Sequence, residues 1–410
     1  MSRLISYYGD DFTGSTDVME ALASHGVRTA LFTRLPSAAE FAPFADFEAI
    51  GLAGTSRSQT PEWMSAHLPE AFAWLESLGA RFCHYKVCST FDSSPKIGSI
   101  GRAIEIGLQV FNQQRATMII GAPQIKRYSF AGHLFAAYQA KTYRIDRHPV
   151  MSVHPVTPMD ESDVLRHLAR QTAAPVQLLD VHDASSQRLA GAALLHLPNE
   201  SMPFVAGSSG VEYALMAALE KKRDVHFDAV PPVSQMLVIS GSVSPTTERQ
   251  IAYAKTHGFE VIAADALSLA QGQTDILLAQ ARVILSQGKS PLIYSAAGPA
   301  TDQGAALLAI SNGREILSKS LGCIARKLVE EFKLKRLVIA GGDTSSHALG
   351  ELDIHALTTR FPLVETPGSP LCLAHSKIPA FNGLEIAMKG GQVGGDDYFV
   401  KLKEGVAYAA

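Results

Sequence analysis

A short β-branched apolar run that ends in a turn of glycine, acid and hydroxyl residues and passes into helix-forming sequence recurs along this chain, and it admits few architectures. It is clearest at Arg336-Leu337-Val338-Ile339-Ala340-Gly341-Gly342-Asp343-Thr344-Ser345-Ser346-His347-Ala348. A strand feeding a helix through a Gly-rich turn presents backbone N–H groups to an anion. Gly341 and Gly342 leave room for a phosphate, Thr344 is placed to cap the helix, and Asp343 to face a metal ion or a ribose. One such turn is ordinary in an α/β sheet; the weight lies in the repetition.

The first instance opens the chain. Leu4–Tyr8 reads as a buried strand, Gly9-Asp10-Asp11-Phe12-Thr13-Gly14-Ser15-Thr16-Asp17 as its turn, and Val18–Ala23 as a helix, with Arg28–Thr33 as the next strand. This is a βαβ unit, and ligands of such sheets sit at the carboxyl ends of strands. Asp10 and Asp11 therefore lie at an expected site. As neighbours they point apart, so one faces a ligand and the other caps the helix starting near Thr13 or Ser15. The strand Glu48–Ala53 ends in a loop carrying Arg57, whose fork suits a carboxylate. Pro61 opens a helix whose Trp63, Leu68, Phe72 and Leu75 read as core. Phe82–Val87 is a strand leading through Lys86 into the hydroxyl-rich loop Cys88-Ser89-Thr90-Phe91-Asp92, which suits a polyhydroxylated acid.

Further along, Ile100–Phe111 and Asp160–Thr172 read as helices, and Thr117–Ile120, Val176–Asp180 and Ala193–Leu197 as strands. Residues 143–158 form a proline-punctuated loop fit to wall a pocket. His148 and His154 each precede proline and lack the helical spacing of a metal pair, and no metal ligand is named. Phe204–Gly210, before the helix Val211–Lys222, is a third anion turn. Lys221-Lys222-Arg223-Asp224 and Val230-Pro231-Pro232-Val233 then mark a linker, with the boundary near Asp228–Val233. The alternation restarts with the strand Met236–Ile239 and the turn Ser240-Gly241-Ser242-Val243-Ser244, a phosphate cradle by composition. Phe259–Ala263, Pro291–Ser295, Pro362–Glu365 and Leu371–His375 read as strands. The Gly-rich Lys389-Gly390-Gly391-Gln392-Val393-Gly394 follows near the end.

Composition narrows the function. The 410 residues suit two domains, and 47% hydrophobic with 18% charged residues describes a globular chain with ample core. A net charge of −3 argues against a nucleic-acid surface. No apolar run is long enough to span a bilayer, and the amino terminus turns acidic too soon for a signal peptide. Four cysteines without a CxxC pair fit free thiols in the cytoplasm.

The four motifs Gly9–Gly14, Ser240–Ser244, Gly341–Thr344 and Lys389–Gly394, in this order across the whole chain, resemble those of the four-carbon acid sugar kinase family. The resemblance implies two Rossmann-like α/β domains, an acid-sugar domain over residues 1–230 and an ATP domain over 234–410, with the active site in the cleft between them. It implies ATP-dependent phosphorylation of sugar acids such as threonate, erythronate and 3-oxo-tetronates. By carry-over, Ser240, Ser242, Ser244, Gly341, Gly342, Asp343, Thr344, Gly391 and Gly394 face ATP with its Mg²⁺. Asp10, Arg57, Lys86, Ser89 and Thr90 line the acid-sugar site. The family's Lys-x-Asp-Ser-Thr loop, followed closely by Arg-Gly, is here Lys86-Val87-Cys88-Ser89-Thr90 without the arginine. That departure points to a divergent subgroup, such as one acting on a branched, oxidised acid like 3-oxo-isoapionate.

Phosphoryl transfer needs positioning and charge neutralisation. Lys389 is expected near the phosphates, and Asp10, or else Asp11, is expected to take the substrate hydroxyl proton, with Asp92 next in line. The partners are a small sugar acid and ATP, with no nucleic acid or membrane, and a homo-oligomer is left open. Two rivals are a non-enzymatic two-lobed sugar-acid-binding protein and a nicotinamide-dependent dehydrogenase. The dehydrogenase needs GxGxxG after its first strand, where this chain puts Asp10 and Asp11.

Overall fold

The computed structural model describes residues 3–139, 141–154, 156–198, 201–220, 225–363 and 365–407, except for the side chain of Asp343. The charged linker start at 221–224 lies outside them, as do residue 155 of the proline-rich loop and residue 364. The chain divides into two compact units, Met1–Val225 and His226–Ala410.

The first unit is built on β1 (Ile5–Gly9), β2 (Thr29–Phe32), β3 (Ala49–Ala53), β4 (Phe82–Lys86) and β5 (Ala116–Ile119). It continues with β6 (Arg127–Phe130), β7 (His133–Tyr138), β8 (Lys141–Arg144), β9 (Val176–Leu178) and β10 (Phe204–Gly207). Its main sheet runs β2-β3-β1-β4-β10-β5-β9, parallel throughout. After β1 the chain fills one side with β2 and β3, then crosses to β4 on the other. The reversal leaves a crevice at the carboxyl ends of β1 and β4, the position where open α/β sheets bind ligands.

The second unit contains β11 (Leu237–Ser240), β12 (Phe259–Ala263), β13 (Ser290–Tyr294), β14 (Arg336–Ala340), β15 (Ile354–Phe361), β16 (Leu371–Ser376) and β17 (Glu385–Lys389). Its strands run β12-β13-β11-β14-β17-β16-β15, the first five parallel and the last two antiparallel. The reversal recurs here: β12 and β13 fill one side of β11, and β14 opens the other. Leu337, Val338 and Ile339 are fully buried, as expected of a central parallel strand covered on both faces. Arg336 at the head of β14 is buried too. Its guanidinium pairs with Glu385 and donates to the carbonyls of Leu402 and Pro231, pinning the prolines of the linker to this unit.

Three expectations are corrected, and one small sheet comes unannounced. Ala193–Leu197 is no strand: Ala184–Leu195 is a helix with an Asp183–Ser186 capping box, and its alanines and leucines follow helix propensity. The strand expected over Pro362–Glu365 lies earlier, at Ile354–Phe361, because Pro362 cannot donate to a ladder. The helix expected over Asp160–Thr172 is only Val164–Ala169, capped by Asp163. Before the proline-rich loop, β6, β7 and β8 form an antiparallel three-stranded sheet that the apolar pattern does not announce.

Candidate functional site

In the first unit, residues after β1, β3 and β4 converge. Asp10 is the first residue past β1; its N–H donates to the Lys86 carbonyl (2.9 Å) and its carbonyl accepts from Arg57 N–H (3.1 Å). The two acids of this turn separate by role. Asp11 caps the helix Phe12–Ala23, accepting from Gly14 N–H at 2.5 Å; the helix therefore starts earlier than expected. Asp10 is 5% exposed, and its Oδ1 is buried without a hydrogen-bond partner. Burial and the charge of Asp11 push its pKa up, Arg57 and Lys86 pull it down, and it settles at about 7.

Arg57, read as a grip for a ligand carboxylate, holds two of the chain's own. Its Nη1 donates to Asp11 Oδ2 (3.0 Å) and its Nη2 to both oxygens of Asp92 (3.0 Å each). Asp92 also accepts from Thr90 Oγ1 (2.5 Å) and Thr157 Oγ1 (3.3 Å). Burial pushes the Asp92 pKa up, but the Arg57 charge and the Thr90 and Arg57 hydrogen bonds outweigh it, leaving about 2. So committed a carboxylate makes a poor base. Thr90 spends its hydrogen on Asp92, so the Cys88 thiol, 2.9 Å away, donates to Thr90. Lys86 is 2% exposed and lies 3.6 Å from Asp17. Burial disfavours its charge, yet Asp17 and Asp10 more than restore it. Ser89 is half-buried on the same loop.

The second unit gathers the remaining expected residues at the ends of β11, β14 and β17. Ser240 ends β11 and Ser244 caps the helix Pro245–Thr256 through Thr246 N–H. Lys389 ends β17, is fully buried, and donates from Nζ to Thr247 Oγ1 (2.9 Å). Thr247 Oγ1 donates to the Gly391 carbonyl (3.2 Å) and meets Ser242 Oγ (3.0 Å). Among the described residues no carboxylate pairs with Lys389, and burial alone depresses its pKa to about 7.

The glycines divide. A Cβ on Gly391 would meet Ser244 Cβ at 2.9 Å, and Gly394, at φ +93°, is packed against Tyr398. Gly341 has φ +117° and lies close to Thr344 Oγ1. Only Gly342 among these four faces open space. Gly341, not Thr344, is the N-cap of the helix Gly342–Gly350, and no side chain caps it; Thr344 falls inside the first turn, so its hydroxyl packs over Gly241 instead. Asp343 is the second residue of this helix, but its side chain lies outside the described residues.

Sequence reasoning passed over Thr247, although it stands inside the turn region, because only the three-dimensional path brings β17 beside it. It also passed over Asp17 and Thr157, which reach Lys86 and Asp92 from a helix and the proline-rich loop, and Arg127 at the head of β6. No group of three or more His, Cys, Asp or Glu placed to hold a metal occurs among the described residues, and no helix there is long and apolar enough to cross a membrane.

Comparison with known proteins is consistent with this division. Residues 5–200 match the family described as a sugar-binding N-terminal domain, and residues 237–399 a nucleotide-binding C-terminal domain. The chain is 40% identical to a 3-oxo-isoapionate kinase of Paraburkholderia graminis, covering 98% of this chain and 94% of that protein. It is 30% identical to a 3-oxo-tetronate kinase of Pseudomonas fluorescens, covering 97% and 96%. A solved Haemophilus influenzae protein shares the fold with a TM-score of 0.68 at 22% identity, over 96% of this chain and 98% of that one.

Proposed function

From the premise that this chain belongs to the four-carbon acid sugar kinase family, we propose that it transfers the γ-phosphoryl group of ATP to a hydroxyl of a small, branched, oxidised sugar acid of the 3-oxo-isoapionate type. The stronger likeness to the isoapionate-type relative favours that substrate over the straight-chain tetronates. So does Cys88, which stands where the family loop carries an acid. The reading places the reaction in the cytoplasm, where ATP is made and the four thiols stay free.

The observation that carries the phosphotransfer reading is Lys389: an amine buried at a strand end whose partner among the described residues is a hydroxyl lacks an anion there. The open face of Gly342 and the uncapped helix start after it suit a polyphosphate. Bound ATP, with Mg²⁺ on its phosphates, supplies the phosphoryl group and part of the charge neutralisation. Thr247, itself met by Ser242, holds the Lys389 ammonium in place. In the first unit Asp10 accepts the hydroxyl proton on Oδ1, the atom the fold leaves unpaired. Arg57 and Asp92 form a rigid wall that keeps Asp11 off the substrate. The test is a panel of sugar acids incubated with ATP, reading ADP release and product mass. A phosphorylated acid is expected; if none forms while an acid still binds, the protein is a binding protein.

Two expected results follow from this division of labour. Gly342→Ala adds a methyl group where nothing lies within 4 Å. The free protein should melt no lower, since alanine suits a helix start, while the thermal shift caused by ATP·Mg²⁺ should vanish. An undiminished shift removes this turn from the nucleotide site. Arg57→Lys keeps a charge but not the fork that spans Asp11 and Asp92. It should weaken the acid by on the order of 1–3 kcal/mol and ATP hardly at all; equal losses for both ligands would mean general damage.

A further inference from the structure

The cations of the first crevice are not equally committed. Arg57 is saturated by Asp11 and Asp92, and Lys86 is drawn toward Asp17. Arg127, the first residue of β6, follows the carboxyl end of β5 by way of a short turn and is tied back by mutual hydrogen bonds with Ala122. Among the described residues its Nη1 donates only to carbonyls, those of Ile125, Lys126 and Ala137, and its buried Nε makes no hydrogen bond. Among the described residues no carboxylate pairs with it. It lies within electrostatic reach of Cys88 and Asp17, two of the groups that also act on Lys86. β10 lies between β4 and β5 in the sheet, and the hydroxyl of Ser209, just past its end, is also buried and unpartnered.

We propose that Arg127 is the receptor for the substrate's carboxylate, with Lys86 and Ser209 beside it, and that Arg57 serves only to position Asp11 and Asp92. This rests on the sugar-acid kinase reading. The physical case is that a guanidinium edge without an acceptor is costly to keep in a folded protein, and a planar carboxylate satisfies that edge side-on through two parallel hydrogen bonds. Arg127 remains partly exposed, which lets the edge turn toward a ligand at the strand ends. A branched or oxidised carbon skeleton then extends from Arg127 past Cys88 toward Asp10. Cys88, smaller and uncharged compared with an aspartate, leaves space and removes a repulsion near the carboxylate.

The test compares the acceptor sugar acid that the ATP panel identifies with its primary amide, which keeps the size and loses the charge, in wild type, Arg127→Gln and Arg127→Lys. Wild type should prefer the acid. Arg127→Gln should raise the acid's KM on the order of 10–100-fold with kcat and the KM for ATP nearly unchanged, and its preference for acid over amide should collapse. Arg127→Lys should fall between, retaining preference but losing affinity. If Arg127→Gln does not fold, as judged by its melting, Arg127→Lys decides: an acid KM equal to that of wild type overturns the proposal. A preserved acid-over-amide preference in Arg127→Gln overturns it too, leaving the kinase reading intact because wild type still turns over. Absence of any phosphorylated acid with wild type overturns both.

Discussion

Asp10→Asn is expected to lower kcat by roughly 10²–10⁴-fold while changing substrate KM little, the signature of a lost general base. The variant keeps the shape of the turn and removes only proton acceptance. The pH dependence has a definite sign. A base must be ionised, and Asp10 titrates at about 7 in the free protein, so kcat/KM should rise with pH through neutrality and then level. Linkage gives a second readout. The folded pKa of Asp10 is raised above its ordinary 3.8, so its stabilising contribution is complete below that value and is lost as pH rises through about 7. At pH 8 wild type therefore carries a buried, partnerless carboxylate oxygen that Asp10→Asn lacks. The dead variant should melt no lower than wild type at pH 8, and the gap should move against it toward pH 4. Asp11→Asn should retain most of the activity, since asparagine caps about as well as aspartate, although it loses the Arg57 ion pair. A dead Asp11→Asn beside an active Asp10→Asn reverses the assignment. Activity in both removes the base from this turn, and Asp92, already bound by Arg57, Thr90 and Thr157, is a weak substitute.

The second large effect belongs to Lys389. Lys389→Met fills a similar volume without charge and should weaken ATP by roughly 10–100-fold, leaving the sugar acid's binding unaffected. Burial lowers the pKa of this amine from 10.5 to about 7. Above pH 7 and below pH 10.5 the unfolded chain therefore holds a proton that the folded one does not. Stability should accordingly rise with pH across that window, the penalty being complete below 7. An arriving polyphosphate reverses the preference, because an opposite charge nearby favours the ammonium. ATP binding at pH 8–9 should then take up a proton, visible as a dependence of the calorimetric heat on the buffer's ionisation enthalpy. Lys389→Met should abolish the uptake. No uptake in wild type, or unchanged ATP affinity in the variant, removes Lys389 from the phosphate site.

What could be read from the amino acids alone is what local rules govern. Runs such as Leu237–Ile239 and Leu337–Ile339 are apolar on both faces because a central parallel strand is covered on both faces, and glycine–hydroxyl turns mark where those strands end. That was enough to locate the carboxyl ends of β1, β4, β11 and β14, and with them Asp10, Lys86, Ser242 and Gly342, whereas the strand that ends in Lys389 went unread. Tertiary structure alone decided which partner each group would find. Arg57 lies 46 residues from Asp11 and 35 from Asp92, and nothing in its neighbourhood says that it will be spent on them. Thr247 meets Lys389 across 142 residues because β17 is placed next to β14. Asp10 and Asp11 are chemically identical neighbours; the start of the helix at Phe12 makes one a cap, and burial makes the other a group that titrates near neutrality. Arg127 was invisible because its strand belongs to a small antiparallel ribbon with no strong apolar period. Periodicity and propensity act over a few residues and so are written in the chain. Ion pairing, desolvation and the absence of a partner depend on what lies across the crevice, and the fold settles them.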